Sequence, residues 1–153
     1  MTSAIRLESV EATHAFGERL GKLLRAGDVL VLTGGLGAGK TTLTQGIAAG
    51  LGVRGPITSP TFVIARTHPS LVGGPELVHV DAYRLSGAIE LDDLDLDTSV
   101  ADAVTVVEWG AGLADELADE HLELVLAADG DSRTLRMLPS GQRFERLAAE
   151  LTG

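Results

Sequence analysis

Eight consecutive residues, Gly34-Gly35-Leu36-Gly37-Ala38-Gly39-Lys40-Thr41, carry the spacing G-x-x-x-x-G-K-S/T. This is chemistry for phosphate. The glycines let the backbone fold around an anion with several N–H groups pointing inward, and a helix starting behind them adds its positive end. Leu36, Gly37, Ala38 and Gly39 are the candidate main-chain contacts, with Lys40, Thr41 and Thr42 completing the cradle. Lys40 would bridge the β- and γ-phosphates as a point charge, and the Thr41 hydroxyl would coordinate Mg²⁺. The segment therefore points to ATP held with Mg²⁺.

Such a loop also needs a carboxylate at the end of a neighbouring strand. Two acids close apolar runs: Asp81 after Leu77-Val78-His79-Val80, and Glu108 after Val104-Thr105-Val106-Val107. If both strands run parallel to the one before the loop, the acids arrive at the sheet edge where ligands of such folds bind. One would assist the metal, and the other would orient or deprotonate an attacking water. The pattern does not assign the two roles. Each could also be a solvated strand-end acid, and only the nearby loop favours chemistry.

The elements that must position these groups read as follows. Ile5 to Leu7 suits a short strand. A helix from Ser9 carries Ala12, Phe16, Leu20, Leu23 and Leu24 at helical spacing and stops at Gly27. Val29 to Thr33 is a continuous apolar run of strand length, as in a central strand covered on both faces. The helix after the loop presents Leu43, Ile47 and Leu51 and ends near Gly50 and Gly52. Phe62 to Ala65 reads as a strand, Gly73-Gly74-Pro75 as a turn, and Glu90 to Asp97 as a helix or exposed loop. Leu122, Leu124 and Leu126 lead through Asp129-Gly130 to a returning run, Arg133 to Leu138, which is a hairpin pattern. A last helix carries Phe144, Leu147, Ala148 and Leu151. Strands alternating with helices predict a single α/β domain over residues 1–153, with a mostly parallel central sheet and an antiparallel C-terminal hairpin.

Composition narrows the function classes. At 153 residues with 44% apolar content the chain can bury a proper core. It has no cysteine, hence no disulfide or thiolate chemistry. Without an apolar leader or membrane-length run, the expected compartment is the cytoplasm. The formal charge of −10, from 22 acidic and 12 basic residues, disfavours strong direct binding of nucleic acid. Lysine occurs only at Lys22 and Lys40, so no guanine-reading N-K-x-D segment exists and a GTPase is excluded. A small-molecule kinase shares the loop but would need an acceptor pocket and an arginine-bearing lid, and neither is evident. A nucleotide-gated interaction module is the third reading.

Ordered blocks carry a closer resemblance: Gly34 to Thr42, then Ser59-Pro60-Thr61-Phe62, then His79-Val80-Asp81-Ala82-Tyr83-Arg84-Leu85, then Val107-Glu108-Trp109. On these the chain resembles the TsaE (YjeE) family, the small ATPases of bacterial tRNA threonylcarbamoyladenosine synthesis, across nearly its whole length. The resemblance implies a three-layer P-loop NTPase-type fold with helices on both faces. It implies Mg²⁺-dependent ATP hydrolysis, low without partners, in concert with a TsaB–TsaD pair. That pair would transfer the group and engage the tRNA, so this chain would meet tRNA only indirectly. Residue by residue it implies Thr41 and Glu108 as metal ligands and Lys40 as the phosphate contact. Asp81 would hold a metal-bound water or orient the attacking one. Thr61 would lie in a switch-like loop near the γ-phosphate, and Arg133 close to the nucleotide. Trp109 either shapes the site or packs in the core. The chain departs from the family at Gly35, where an acidic residue is usual, and at Asp95, where Gly is common.

Other features have plainer readings. Asp93, Asp95 and Asp97 alternate like the start of a calcium loop, but Thr98 stands where that loop needs Gly, so they read as a solvated acidic face. The histidines His14, His68, His79 and His121 are too scattered to make a metal site. His79 reads as a satisfied structural histidine, with tuning of the pocket as the alternative. Arg84 could meet Asp81 or a phosphate, or form a surface ion pair.

Overall fold

The fold is drawn from a computed structural model, which describes residues 3–34, 39–53, 65–81, 102–108, 120–130 and 132–152. Seven strands form one sheet: β1 (Ser3–Leu7), β2 (Val29–Thr33), β3 (Ala65–His68), β4 (Glu76–Asp81), β5 (Ala103–Glu108), β6 (His121–Asp129) and β7 (Ser132–Ser140). The described helices are α1 (Val10–Leu23), α2 (Lys40–Leu51) and α3 (Gln142–Thr152). Strand order is β1-β7-β6-β2-β5-β4-β3. The central strands β4, β5, β2 and β6 are parallel, and antiparallel pairs flank them on both sides.

The C-terminal hairpin forms as its sequence requires, with Asp129 paired to Ser132 around a turn in which Gly130 has φ 64°. Of the strand expected over Phe62 to Ala65, the described residues include only Ala65, which is in β3. Its described span starts at Ala65 and runs on through Arg66 and Thr67 to His68, pairing antiparallel with β4. An edge strand needs only one ladder partner and not an apolar run, so β3 extends beyond the hydrophobic stretch that marked it. Residues Phe62 to Ile64, the S-P-T-F block with Thr61, and the acidic stretch Glu90 to Asp97 lie outside the described residues.

The core lies on one face of the sheet, where Leu30, Leu32, Val104, Val106, Leu122 and Leu124 meet Phe16 and Leu20 of α1, Leu43 and Ile47 of α2, and Phe144 and Leu147 of α3. Alternation along β2 sends Val29 and Val31 to the opposite face, and these are buried too, as are Val78, Val80 and Val107. That burial on both sides is what the unbroken apolar run of β2 anticipates.

Two contacts set the frame around the loop. On α1 and α2, glycines recur at four-residue spacing, Gly17 and Gly21 facing Gly46 and Gly50. A Cβ at Gly17 would lie 2.5 Å from the Leu43 carbonyl oxygen, and one at Gly46 would strike the His14 carbonyl. Each glycine costs a helix interior about 1 kcal/mol relative to alanine. Here that cost is offset by backbone-to-backbone packing that any side chain would prevent. At the other end of β2, Asp28 is buried and gathers three donors: the Arg25 N–H at 2.8 Å, Arg143 Nε at 2.9 Å and Arg143 Nη2 at 2.5 Å. The forked pair ties the start of α3 to the start of β2. No described helix is long and apolar enough to cross a membrane.

Candidate functional site

β2 ends at Thr33, whose hydroxyl donates to Glu123 Oε2 of β6 at 3.2 Å. The chain leaves the sheet through Gly34 (φ 148°) and re-enters regular structure at Gly39, the N-cap of α2. Gly39 sits at φ 100° and ψ 15°, left-handed backbone that disfavours every side-chain-bearing residue. Gly35, Leu36, Gly37 and Ala38 lie outside the described residues.

The two ends of α1 and α2 contrast usefully. α1 is capped by Ser9, whose Oγ accepts from the Ala12 N–H at 3.1 Å, and Glu11 complements its dipole. α2 has no side-chain cap and no acid in its first turn. Its leading N–H groups have no intrahelical acceptor, so the helix offers them, with its positive end, to an anion. Lys40 is its first residue. The side chain is buried, and Nζ donates to the Gly34 carbonyl at 2.8 Å, linking the two ends of the loop. Thr41 and Thr42 follow, both half-buried.

Both candidate acids end parallel strands on this side of the sheet. Glu108 is the last residue of β5 and its Cα pairs with Leu32 of β2 and with Asp81, the last residue of β4. The register therefore brings the two strand ends level with the exit of β2 into the loop. Glu108 is only 4% exposed. Its Oε2 receives His79 Nε2 at 2.5 Å, and His79 itself is fully buried on β4. The expectation of a satisfied structural histidine holds for one ring nitrogen only, because His79 Nδ1 is buried with no hydrogen-bond partner among the described residues. The pairing is not written in the local sequence; it follows from the register of β4 against β5, which sets His79 beside Val106, two residues before Glu108.

Arg133 arrives from the far side. It is half-buried on β7, just after the hairpin turn, with Nη1 donating to the carbonyls of Gly130 at 3.1 Å and Ser132 at 2.9 Å. The atoms nearest a Cβ built on Gly39 all belong to Arg133, with Nε at 3.6 Å. A cation thus lies over the N-terminus of α2, 94 positions from it in sequence (133 − 39).

Gly34, Gly39, Lys40, Thr41, Thr42, Asp81, Glu108 and Arg133 are accordingly gathered around the carboxyl ends of β2, β4 and β5 and the hairpin beside them. Thr61, Trp109 and Arg84 lie outside the described residues. The donors suit the expected ligands: main-chain N–H groups and two cations for phosphate, and hydroxyl and carboxylate oxygens for a hard divalent ion.

The architecture and the glycine loop define an α/β protein of the P-loop NTPase type. The crystal structure of YdiB from Bacillus subtilis matches it with a TM-score of 0.75 at 34% identity, covering 99% of this chain and 95% of that one. Residues 7–136 match the family model described as threonylcarbamoyl adenosine biosynthesis protein TsaE. The tRNA threonylcarbamoyladenosine biosynthesis protein TsaE of Streptomyces coelicolor is 67% identical over 109 residues, 71% of this chain and 74% of that protein. The Bacillus subtilis protein of the same description is 38% identical over 149 residues, 96% of this chain and 92% of its own. The chain belongs to the TsaE family.

Proposed function

We propose that this chain is a Mg²⁺-dependent ATPase of tRNA threonylcarbamoyladenosine biosynthesis that acts with a TsaB–TsaD pair. In this reading ATP binding and hydrolysis drive or reset the modification cycle, and the chain does not transfer the group itself. The pathway rests on family membership. The ATPase rests above all on one observation: an uncapped helix N-terminus whose first residue, Lys40, is buried against the loop it closes, with Glu108 level with the loop's exit.

The chain's own residues would divide the work as follows. The N–H groups of α2 and the Lys40 ammonium hold the β- and γ-phosphates, and Arg133 adds charge at the same end. Thr41 and Glu108 would hold Mg²⁺, with Asp81 on a metal-bound water or on the attacking water, and the ion would supply charge neutralisation for the phosphates. A net charge of −10 leaves tRNA contact to the partners. Hydrolysis then changes the fit to those partners, as in other nucleotide switches.

Glu108→Ala separates binding from turnover. The variant should retain ATP affinity within a few fold, yet fail to sustain repeated rounds of modification with TsaB and TsaD. Multiple rounds at the normal rate would show that hydrolysis is not the driver.

A further inference from the structure

We propose that His79 is a positioning residue for Glu108, holding the carboxylate by a hydrogen bond in the orientation its metal requires. The inference rests on the Mg²⁺–ATP reading given above.

The geometry is specific. His79 stands opposite Val106 on the neighbouring parallel strand, and its Nε2 reaches across to Glu108 Oε2 at 2.5 Å. Around the pair the wall is hydrocarbon: Leu32 is in register with Glu108, and Leu32, Leu77 and Val106 all belong to the apolar core. A carboxylate in such a wall needs a donor, because leaving it unpaired is costly. An imidazole with its proton on Nε2 gives one hydrogen bond to one oxygen, and among the described residues nothing else engages the other. Ligating carboxylates are commonly held in this way by hydrogen bonds behind the metal.

His79 also bears a cost that simple packing does not require. Its Nδ1 is buried without a partner among the described residues, and a Leu or Met would fill the same space with no orphaned polar atom. A proton on Nε2 is paired with Glu108, whereas a proton on Nδ1 would be a buried donor with no partner among the described residues. The tautomer that serves Glu108 is thus the one the pocket tolerates best.

Two substitutions separate positioning from packing. His79→Leu removes the donor at similar volume, and His79→Gln restores an amide N–H near the Nε2 position. ATP affinity is measured by calorimetry in EDTA and again with Mg²⁺, alongside the Mg²⁺ concentration for half-maximal hydrolysis and the melting temperature. His79→Leu should leave affinity in EDTA unchanged within twofold and raise the Mg²⁺ requirement by about ten- to a hundredfold. His79→Gln should recover most of that loss. In a Glu108→Ala background, His79→Leu should not weaken the remaining Mg²⁺-dependent ATP affinity further. Equal loss of affinity in EDTA and in Mg²⁺, an unchanged Mg²⁺ requirement, or an undiminished effect in the Glu108→Ala background would each overturn the role. Should His79→Leu not fold, the Nε2 proton resonance of His79 carries the test. It should be protected and far downfield in the wild-type chain and displaced in Glu108→Ala, and an unmoved resonance would overturn the pairing. Wild-type protein without Mg²⁺-dependent hydrolysis sinks both this role and the ATPase reading. Normal wild-type hydrolysis with an indifferent His79→Leu sinks this role alone.

Discussion

Lys40 is 6% exposed, an unusual position for an ammonium that would be better hydrated outside. Its hydrogen bond to Gly34 keeps the charge inside the loop before any phosphate arrives, so less ordering is needed on binding. Lys40→Ala should weaken ATP binding or turnover by about a hundredfold, the scale seen when one preorganised donor is removed. Lys40→Arg should not rescue it, because a planar fork cannot take the place of a buried point charge. Calorimetry and steady-state hydrolysis check both. Arg133→Ala should cost about tenfold in ATP affinity, or roughly 1.4 kcal/mol, with an unchanged melting temperature. Most of the candidate site residues are legible in sequence because a phosphate loop is a local pattern, and the acids are flagged by the apolar runs they terminate. The His79–Glu108 bond was not, because a histidine in a strand looks alike whether it faces a carboxylate or a carbonyl. Only the register of β4 against β5 distinguishes the cases.

At the scale of elements, α1 and α2 form a unit on which the loop is mounted. Helix propensity alone would make Gly46→Ala stabilising by about 1 kcal/mol. The backbone contact with His14 predicts the opposite sign, a loss of about 1–3 kcal/mol from overpacking, measurable by urea unfolding. The Asp28–Arg143 fork is the second fastening, and Arg143→Ala should cost about 2–3 kcal/mol. The hydrogen bond to Asp28 raises the guanidinium's pKa above its already high ordinary value, against an opposing effect of burial. A cation whose pKa is raised by folding gives stability that is complete below the unfolded value and is lost only as pH climbs through the higher folded one. The stability difference between Arg143→Ala and the unaltered chain should therefore be the same at pH 7 and pH 10. The helices were legible from their apolar spacing and from Ser9 and Gly52, but α1 stops short of the expected Gly27: it ends at Leu23, with Leu24 already extended as its C-cap and its N–H bonded to the Gly21 carbonyl. The glycine pairing between the helices was not legible, since four glycines at this spacing equally suit a chain rich in turns. β3 runs on to His68, past the apolar residues that marked it, because an edge strand needs no apolar run.

For the whole molecule, the alternation of strands and helices made the α/β class legible, but the strand order was not. Nothing local in β2 says that β5 and β6 will flank it, or that antiparallel strands will close both edges. That order matters to function. It sets Glu108 beside the exit of β2 and carries the β6–β7 turn, with Arg133, to the start of α2. The net charge of −10 suits the proposed division of labour, in which contact with nucleic acid is left to partners. The most direct test is ATP hydrolysis with Mg²⁺, by this chain alone and then with its cognate TsaB–TsaD pair, with Lys40→Ala as the control. Low turnover alone, clear stimulation by the pair and loss of both in the control is the predicted result. Turnover that is equal with and without the pair would contradict the partnership, and turnover that survives in Lys40→Ala would contradict the site.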